Sequence, residues 1–395
     1  MNVTMVHSNR VKIENGILKV DRKFLTGMLR YATEINARLT TIHPETPAGV
    51  HTMDLVEVPC VDLPFRVLTI PQDASLNTTS QLVREIVADS CLLYGNGFNS
   101  TKIAKALGIP YILVLEYDLQ TQITMETSGV KSKLRRLVRA VRNTMRYGWV
   151  DVPEMRAAHA IHCNGYPMFD EARLFNKHRL LYLDSRMSAE LVIPEDQLQE
   201  RLNRLGSRPL RLLFSGRYER IKGAADSVKV AIECLRRGLD IEMHTYGQGQ
   251  LRQEMVEMVQ KSGYTDRIHV HDAIPYPDLV VRSRDFDIFV CCHIQNDPSC
   301  TYLESFGAGL PIVGYDNRMW RRLAETSRCG FATALGHPDA AVDKLQDLLK
   351  DIPRLNVMSK LARSFALAHT FDQEFELRTL AINKEIARGG QNYKS

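Results

Sequence analysis

The first sign of chemistry in this chain is a pair of cations, Arg217 and Lys222, that follow a short apolar run. The run from Arg211 to Phe214 predicts a buried strand, and apolar residues recur at helical spacing after Gly223. Both cations therefore lie on a connection between a strand and a helix. Open parallel sheets bind ligands at the carboxyl ends of their strands, where the following helix also points free N–H groups outward. We expect an anion to bind there; the alternative is a solvated turn with two surface cations.

A second helix is expected to begin in the segment Asp297 to Pro311, which follows a predicted strand, Ile288 to Cys292. Asp297 suits the N-cap and Pro298 the first helical position. Because Pro298 has no N–H, the donors left to face a phosphate are those of Ser299, Cys300 and Thr301. Glu304 would then lie about 9 Å further along the helix axis, where a carboxylate can hold hydroxyl groups beyond a diphosphate.

Between these segments, Gly247-x-Gly249 follows another predicted strand and allows close approach of the backbone to a ligand. The ordered series is Gly216-Arg217-x4-Lys222-Gly223, Gly247-x-Gly249 and Glu304-x4-Gly309-x-Pro311. It resembles the carboxyl-terminal domain of the retaining family-4 (group 1) glycosyltransferases, from about Leu210 to Val313. That family has the α/β GT-B fold, in which two Rossmann-like, doubly wound domains face each other across a cleft.

The resemblance implies roles for single residues. Arg217 and Lys222 would bind the diphosphate of a nucleotide-sugar donor and act as catalytic residues, with Gly216 and Gly247 beside it. Glu304 would hold the ribose. The remaining residues that we expect to bind the donor are His293, Asn296, Asp297, Ser299, Cys300 and Thr301.

One part of the motif departs from the family pattern. The family usually has a Glu eight residues before Glu304, where this chain has Asn296 with Asp297 beside it. Asn can hydrogen-bond a sugar hydroxyl but supplies no negative charge near an oxocarbenium ion. Cys292 and His293 replace a frequent Pro-Ser pair, so His293 either faces the donor sugar or is a buried, hydrogen-bonded structural residue. The altered loop predicts a different donor sugar or, as the alternative, lost catalysis.

The acceptor side is expected in the amino-terminal half. The resemblance aligns Leu113 to Asp118 with a segment that often ends in His-Asp, so Glu116 replaces the His. We predict that Glu116 orients the acceptor hydroxyl or shares its proton, the alternative being a cap or turn carboxylate. Ser8 to Lys12 replaces the family's glycine-rich loop, and Asn9 and Arg10 are predicted to face the acceptor.

Alternating strands and helices predict a doubly wound domain in the amino-terminal half. The predicted strands are Val3 to His7, Arg38 to His43, Arg66 to Ile70, Cys91 to Tyr94, Tyr111 to Leu115, Ala160 to Cys163 and Arg179 to Leu183. A chain of 395 residues is long enough for two domains. We expect an acceptor-side domain over 1–193, a linker over 194–208 and a nucleotide-sugar domain over 209–370. By resemblance, a final helix in 371–395 crosses back to the first domain.

Metal chemistry is not expected. Asp285 and Asp287 have the spacing of a metal-dependent glycosyltransferase of another fold, but Asp287 opens a strand and is assigned a structural role. His159 and His162 span a helix end and a strand start, so their imidazoles need not converge. We therefore expect no metal and no other cofactor, since two cations are already present to neutralise a diphosphate. The eight cysteines include no CxxC pair and are expected to be reduced structural thiols.

The segment Lys131 to Arg146 predicts a basic amphipathic helix. It carries seven cations and no acid, and its apolar stripe is Leu134, Leu137, Val138, Val141 and Met145. Such a helix can lie on an anionic membrane surface, which would suit a lipid-linked acceptor; a core-packed helix with a solvated face is the alternative. The net charge of +5 agrees with an anionic partner. No nucleic-acid partner is expected, because no recognised reading module accompanies the cations.

No apolar run approaches the roughly 20 residues of a membrane span, and Met1 to His7 reads as a strand rather than a signal peptide. We therefore expect a cytoplasmic protein with peripheral contact at the inner face of the membrane. The resemblance implies hexosyl transfer, with retention, from a UDP- or GDP-sugar to a glycan or lipid-linked acceptor in cell-surface polysaccharide synthesis. The alternative is a noncatalytic nucleotide-binding protein on the same scaffold. A nicotinamide dehydrogenase is disfavoured because no GxGxxG turn follows the first strand.

Overall fold

The computed structural model describes residues 1–46, 55–71, 76–97 and 100–392. Its strands are β1 (Asn2–Val6), β2 (Lys12–Glu14), β3 (Ile17–Asp21), β4 (Arg38–Pro44), β5 (Leu55–Pro59), β6 (Arg66–Ile70), β7 (Ser90–Gly95), β8 (Tyr111–Leu115), β9 (Ala160–Asn164), β10 (Arg179–Tyr182), β11 (Leu210–Ser215), β12 (Ile241–Tyr246), β13 (Ile268–His271), β14 (Ile288–Cys291), β15 (Ile312–Tyr315) and β16 (Gly330–Thr333).

The helices alternate with these strands through most of the chain. They are α1 (Arg22–Glu34), α2 (Leu76–Val87), α3 (Ser100–Leu107), α4 (Leu119–Thr127), α5 (Lys133–Arg146), α6 (Val152–Ala157), α7 (Tyr166–Ala172), α8 (Glu195–Asn203), α9 (Ala224–Arg236), α10 (Arg252–Ser262), α11 (Tyr276–Ser283), α12 (Thr301–Gly307), α13 (Arg318–Ser327), α14 (Pro338–Lys350), α15 (Ile352–Ala368) and α16 (Phe371–Asn392). None of the helices in the described ranges is long and apolar enough to cross a bilayer.

The first parallel sheet has the order β10-β9-β8-β7-β1-β4-β6. It contains all seven strands that the apolar runs of the amino-terminal half predicted, each within a residue or two of its predicted ends. Apolar clusters cover both faces of this sheet, as is typical of parallel sheets. The order reverses beside β1, which opens a crevice between the ends of β1 and β7.

The second parallel sheet has the order β13-β12-β11-β14-β15-β16. Its strand order reverses between β11 and β14, and apolar clusters again cover both faces. A crevice therefore opens where the connections after β11 and β14 leave the sheet, and both predicted donor-binding segments lie on those connections. The α/β, doubly wound prediction is confirmed in both halves.

A small antiparallel sheet, β2-β3-β5, was not predicted. Asn15 and Gly16 join β2 to β3 with φ of +50° and +77°. Two central residues with positive φ match the type I′ hairpin turn that Asn-Gly favours, so the sequence did carry a signal for this hairpin. The three-residue strand β2 is too short to show a period, which is why the pattern analysis missed it.

The predicted linker, 194–208, contains the ordered helix α8. Leu198 and Leu202 of this helix are buried with Ile193. The Arg201 guanidinium donates to the carbonyls of Ala308 and Gly309, both at 2.7 Å. The segment therefore contains a helix packed against the second half of the chain, and both the linker and the domain limits stay predictions.

The final helix, α16, packs on the first sheet's side of the molecule. Phe375, Ile382 and Ile386 join a buried cluster with Met28 and Tyr31 of α1. This helix thereby brings its own side chains to the crevice at the end of β1.

Candidate functional site

Two tightly packed loops place Lys222 at the end of β14. Gly223 has φ of +62°, and a Cβ on it would lie 1.9 Å from the Cys292 carbonyl oxygen. The Ile294 N–H donates to the Ile221 carbonyl at 3.1 Å. Only glycine tolerates both the left-handed backbone and the close approach, so this residue sets where Lys222 lies.

Lys222 forms a buried ion pair with Asp297. Its Nζ lies 2.5 Å from Asp297 Oδ2, and the lysine is only 8% exposed. Burial acts to raise the pKa of Asp297, but the Lys222 charge holds that pKa below its usual range. Arg217, by contrast, is exposed and contacts Glu219 Oε1 at 3.0 Å, so its guanidinium can move toward a ligand without loss of a buried contact.

Several buried polar atoms beside this pair have no hydrogen-bond partner in the described residues. They are both ring nitrogens of His293, Oε1 of Gln295 and Oδ1 of Asp297. Burial, with the nearby Lys222 charge, lowers the pKa of His293 to about 3, so its imidazole is neutral. His293 is buried as one interpretation expected, but it is not hydrogen-bonded. Unpaired buried polar groups are rare in proteins, and this cluster is what a polar ligand would complete.

The helix predicted to begin at Pro298 begins instead at Thr301. Asp297 is not its cap because the carboxylate pairs with Lys222. The Ser299 N–H, expected to be free, donates to the Asp297 carbonyl at 2.9 Å. The ion pair thus overrides the local capping preference and shortens the helix to seven residues, with Glu304 in its first turn.

Glu304 has a partner that the sequence did not indicate. Arg186 donates from Nε at 2.9 Å and from Nη2 at 2.7 Å to Glu304 Oε1. The guanidinium also stacks 4.1 Å from the Tyr276 ring centroid. The two residues are 118 positions apart, so no local pattern could have revealed the pair. It fixes the orientation of the carboxylate predicted to hold the ribose.

Asn296 connects the two halves of the chain. Its amide nitrogen lies 3.2 Å from Gln120 Oε1 and 3.4 Å from Asp118 Oδ2, and its carbonyl accepts from the Arg318 N–H at 2.9 Å. Arg318 Nη1 in turn lies 2.6 Å from Asp118 Oδ2. In this arrangement, the amide that we expected to face the donor sugar is occupied by contacts across the cleft.

The two predicted loop glycines approach each other. A Cβ on Gly247 would lie 2.0 Å from the Gly216 carbonyl oxygen, and the Gly216 N–H donates to the Tyr246 carbonyl at 3.0 Å. The sequence predicted that these glycines allow the backbone to approach a ligand, and in the structure they allow two loops to approach each other. Both lie at the sheet edge that carries Arg217.

Glu116 and Asn9 line one cavity of about 320 Å³ at the crevice beside β1. Glu116 is exposed on the cavity wall, yet it lies within the cleft, and removal from bulk water together with the Asp184 charge raises its pKa to about 7. Lys23 forms an ion pair with Asp184 in the same wall. Arg10 is exposed and is not among the residues that line the cavity.

Cys300 faces the first half of the chain rather than open donor space. Its Sγ lies 3.1 Å from Lys23 Nζ. Burial, reinforced by the Asp184 charge, raises the pKa of this thiol to about 12, so it stays protonated at neutral pH. Together with Asn296, it ties the loop before α12 to the opposite wall of the cleft.

Asp287 has the structural role that the sequence predicted. Its carboxylate accepts from Arg208 at 2.7 and 2.9 Å and from the Arg211 N–H at 2.8 Å. The cluster of possible metal ligands within the described residues is Glu242, His244 and His269, on β12 and β13 rather than beside Lys222. Metal-independent donor binding stays a prediction.

Comparisons with known proteins agree with this geometry. Residues 197–365 match the family model for glycosyl transferases group 1. Over 189 residues the chain is 27% identical to D-inositol 3-phosphate glycosyltransferase of Paenarthrobacter aurescens (strain TC1), and over 176 residues it is 26% identical to alpha-D-kanosaminyltransferase of Streptomyces kanamyceticus. These matches cover 46% and 44% of this chain and 45% of each relative, so they span less than half of those enzymes.

Structural similarity extends over nearly the whole chain. Sucrose-phosphate synthase from Thermosynechococcus elongatus superposes with a TM-score of 0.65 at 13% identity, covering 98% of this chain and 99% of the other. Anabaena HepE in complex with UDP superposes with a TM-score of 0.64 at 14% identity, covering 99% of this chain and 100% of the other. At these identities the likeness shows a shared fold.

Proposed function

We propose that this chain transfers a sugar from a nucleoside-diphosphate donor to a glycan or lipid-linked acceptor. The GT-B fold and the match of residues 197–365 to the family model for glycosyl transferases group 1 support this proposal. The observation that carries this proposal is the buried Lys222–Asp297 pair surrounded by unpartnered polar atoms. A diphosphate and its sugar supply the charge and the hydroxyl groups that such a cluster lacks. The UDP in the HepE complex supports UDP as the first nucleotide to test.

Donor binding would use three parts of the cleft. Lys222 and the exposed guanidinium of Arg217 would contact the diphosphate, which lowers the energy of the leaving group as charge develops on it. Glu304, oriented by Arg186, accepts hydrogen bonds from the ribose through its second oxygen. His293, as a neutral imidazole, can donate to or accept from a sugar hydroxyl.

The transfer would proceed with retention. The acceptor hydroxyl attacks the anomeric carbon on the face that the diphosphate leaves, the bond from that carbon to the diphosphate oxygen breaks, and the new glycosidic bond forms. The acceptor proton passes to the departing diphosphate oxygen. Glu116 orients the hydroxyl or shares its proton, which its position on the cavity wall and its pKa of about 7 support.

Nucleotide binding tests the donor site directly. We expect UDP, GDP or ADP to raise the melting temperature of the native protein, since a ligand at 100 times its Kd stabilises by about 2.7 kcal/mol. Lys222→Ala should abolish the shift. Lys229→Ala is the matched control, because this exposed lysine of α9 pairs with nearby Asp226. Equal shifts in both variants, or none in the native protein, would contradict the proposed site.

A noncatalytic nucleotide-binding protein is the second candidate, and the contacts of Asn296 favour it. This residue supplies no negative charge and is held across the cleft. Turnover separates the two functions: incubation with a UDP-sugar and candidate acceptors should release UDP and give a product whose anomeric proton coupling matches that of the donor. Nucleotide binding without transfer or donor hydrolysis, across sugars and acceptors, would support the noncatalytic alternative.

A lipid-linked acceptor is supported by the surface of α5. The five apolar side chains of its predicted stripe are 46% to 71% exposed, and the following Trp149 is 74% exposed. The core-packed interpretation of this helix is therefore wrong. We assign this surface to the contact with an anionic bilayer at the cytoplasmic face, where cell-surface polysaccharide precursors are built.

Vesicle flotation tests the membrane contact. Native protein should float with phosphatidylglycerol vesicles but not with phosphatidylcholine vesicles, and added salt should weaken the binding. Leu137→Glu places a charge in the exposed stripe and should abolish flotation while the UDP-induced thermal shift stays unchanged. Binding that survives this substitution would place the membrane contact elsewhere.

A further inference from the structure

The cavity that contains Glu116 also contains a buried cation without a carboxylate partner. Arg378, on α16, lines the cavity and is 7% exposed. Its Nε donates to the Glu374 carbonyl at 3.1 Å. The Glu374 carboxylate itself is occupied, since it accepts from the Leu183 N–H at 2.8 Å and contacts His369 Nδ1 at 2.7 Å. Within the described residues, Arg378 has no ion pair.

Aromatic rings surround this guanidinium but accept none of its N–H hydrogen bonds. Its carbon lies 4.0 Å from the Phe375 centroid and 4.5 Å from the Tyr182 centroid. Cation–π contacts offset part of the desolvation of a charge, but they use none of the five N–H donors of an arginine. A buried charge is normally paired with an opposite charge. The described protein groups supply a hydrogen-bond acceptor for one of these donors, and the cavity is the open space beside the others.

The other cation of the cavity is already paired. Lys23 contacts the carboxylate of Asp184 and the thiol of Cys300. A new anion in the cavity would therefore meet Arg378 rather than Lys23. The volume of about 320 Å³ lies at the lower end of ligand sites and suits one small ring with a substituent.

We propose that Arg378 binds an anionic group, a phosphate or a carboxylate, on the acceptor. The inference rests on the proposed function, because it takes this cavity as the acceptor side. The planar guanidinium fork matches either anion in a bidentate arrangement. Glu116 and Asn9 line the same cavity, so the anion anchors one end of the acceptor unit while a hydroxyl at the other end reaches Glu116. The crossing helix thus contributes to acceptor choice.

The test uses the full chain saturated with UDP, so that anions cannot occupy the donor site. Calorimetric titration compares glucose with glucose 6-phosphate and glucuronate, and inorganic phosphate serves as the minimal anion. We expect at least one anionic probe to bind at least tenfold more tightly than glucose. Arg378→Gln should remove that preference. Arg388→Gln is the matched control, since this arginine lies on the same helix, is exposed and pairs with Glu385.

The UDP-induced thermal shift separates the possible failures. A variant that keeps this shift is folded and has an intact donor site, so a lost anion preference then supports the role of Arg378. If Arg378→Gln does not fold, Arg378→Lys is tested in its place. This variant keeps the positive charge but lacks the planar guanidinium, and it should bind the anion at least fivefold more weakly. The inference is overturned if no anion binds better than glucose in the native protein, or if both variants keep the native preference. A native protein that does not bind UDP would instead contradict the proposed function.

Discussion

Glu116 and Asp297 interact across the cleft, but their surroundings move their pKa values in opposite directions. Removal from bulk water within the cleft and the Asp184 charge raise the pKa of Glu116 to about 7, and the Asp297 charge adds to that effect. The Lys222 ammonium holds the pKa of Asp297 low despite its burial. Such separation of two carboxylates marks different roles at neutral pH. Asp297 is the permanent anion that positions Lys222, and Glu116 is the group able to exchange a proton with an acceptor.

The first prediction concerns the proton of Glu116. In native protein the transfer rate, as kcat/KM, should rise with pH through about 7 as this carboxyl ionises. Glu116→Gln should remove that ionisation and lower the rate about 10²- to 10⁴-fold, the usual contribution of a positioned acid or base. Rate measurements from pH 5 to 9 check this. The same substitution at exposed Glu254 should change neither the rate nor its pH dependence.

The same variant has a predicted effect on stability, with a defined sign. A carboxyl with a raised folded pKa binds its proton more tightly when folded, so native stability falls as pH rises from about 4.3 to about 7. Glu116→Gln avoids this loss. Its melting temperature should exceed the native value at pH 8, and the gap should close below pH 4.5. If the difference in melting temperature between the variant and the native protein instead grows at low pH, the fold stabilises the Glu116 side chain as a carboxylate.

At the scale of elements, Gly223 determines whether the connection after β11 can place Lys222 at the end of β14. Gly223→Ala places a Cβ 1.9 Å from the Cys292 carbonyl in a left-handed backbone. Gly238→Ala is the control, because this glycine also has positive φ, +75°, but has open space around it. The left-handed conformation alone costs about 1–2 kcal/mol.

We therefore expect Gly238→Ala to lose about 1–2 kcal/mol and to keep UDP binding. Gly223→Ala should lose more, and UDP binding should weaken because the clash displaces the Lys222 loop. Urea unfolding gives the stability change and calorimetric titration gives the affinity. Equal losses in both variants, with affinity unchanged, would show that the loop packing does not position the lysine.

Helices and strands could be predicted from the sequence where a local pattern of residues determines them. The seven strands of the first sheet followed from apolar-rich runs that alternate with helical stretches, because strands covered on both faces are rich in apolar residues. The start of α12 was wrong because Asp297 pairs with Lys222, a residue 75 positions away, instead of capping the helix. The hairpin at Asn15-Gly16 was missed although its turn signal was present. Capping rules are local, and a buried ion pair can override them.

At the scale of the whole molecule, the candidate site is a product of contacts between the two halves. Glu304 with Arg186, and Asn296 with Asp118, join residues more than 100 positions apart. The sequence indicated which loops carry Arg217 and Lys222 because these lie within one motif. It could not indicate partners that only the closed cleft brings together, and Arg378 was missed for the same reason.

The final prediction is that Arg318 holds the cleft closed through its ion pairs with Asp118 and Glu171. Arg318 Nη1 lies 2.6 Å from the buried carboxylate of Asp118 on the opposite half. In Arg318→Met, that carboxylate keeps the Thr121 N–H at 2.8 Å but loses its cation, and the loss of a hydrogen bond to a charged group costs about 1.5–3 kcal/mol. Opening the cleft hydrates Asp118 without unfolding either half. We therefore expect the lost ion pair to shift the protein toward an open cleft rather than to lower its melting temperature greatly. Small-angle X-ray scattering should show a larger radius of gyration, and KM for the donor should rise because closure completes its site.

Arg321→Met provides the comparison on the same helix, since Arg321 pairs with Asp316 of its own half at 2.6 Å. It should leave both the radius and KM unchanged. If Arg318→Met unfolds the protein with no increase in the radius beforehand, Asp118 stabilises the fold itself and the pair is not a latch. If saturating UDP restores the native radius in Arg318→Met, the nucleotide supplies closing contacts of its own, and cleft closure is then coupled to donor binding rather than fixed in advance by the protein.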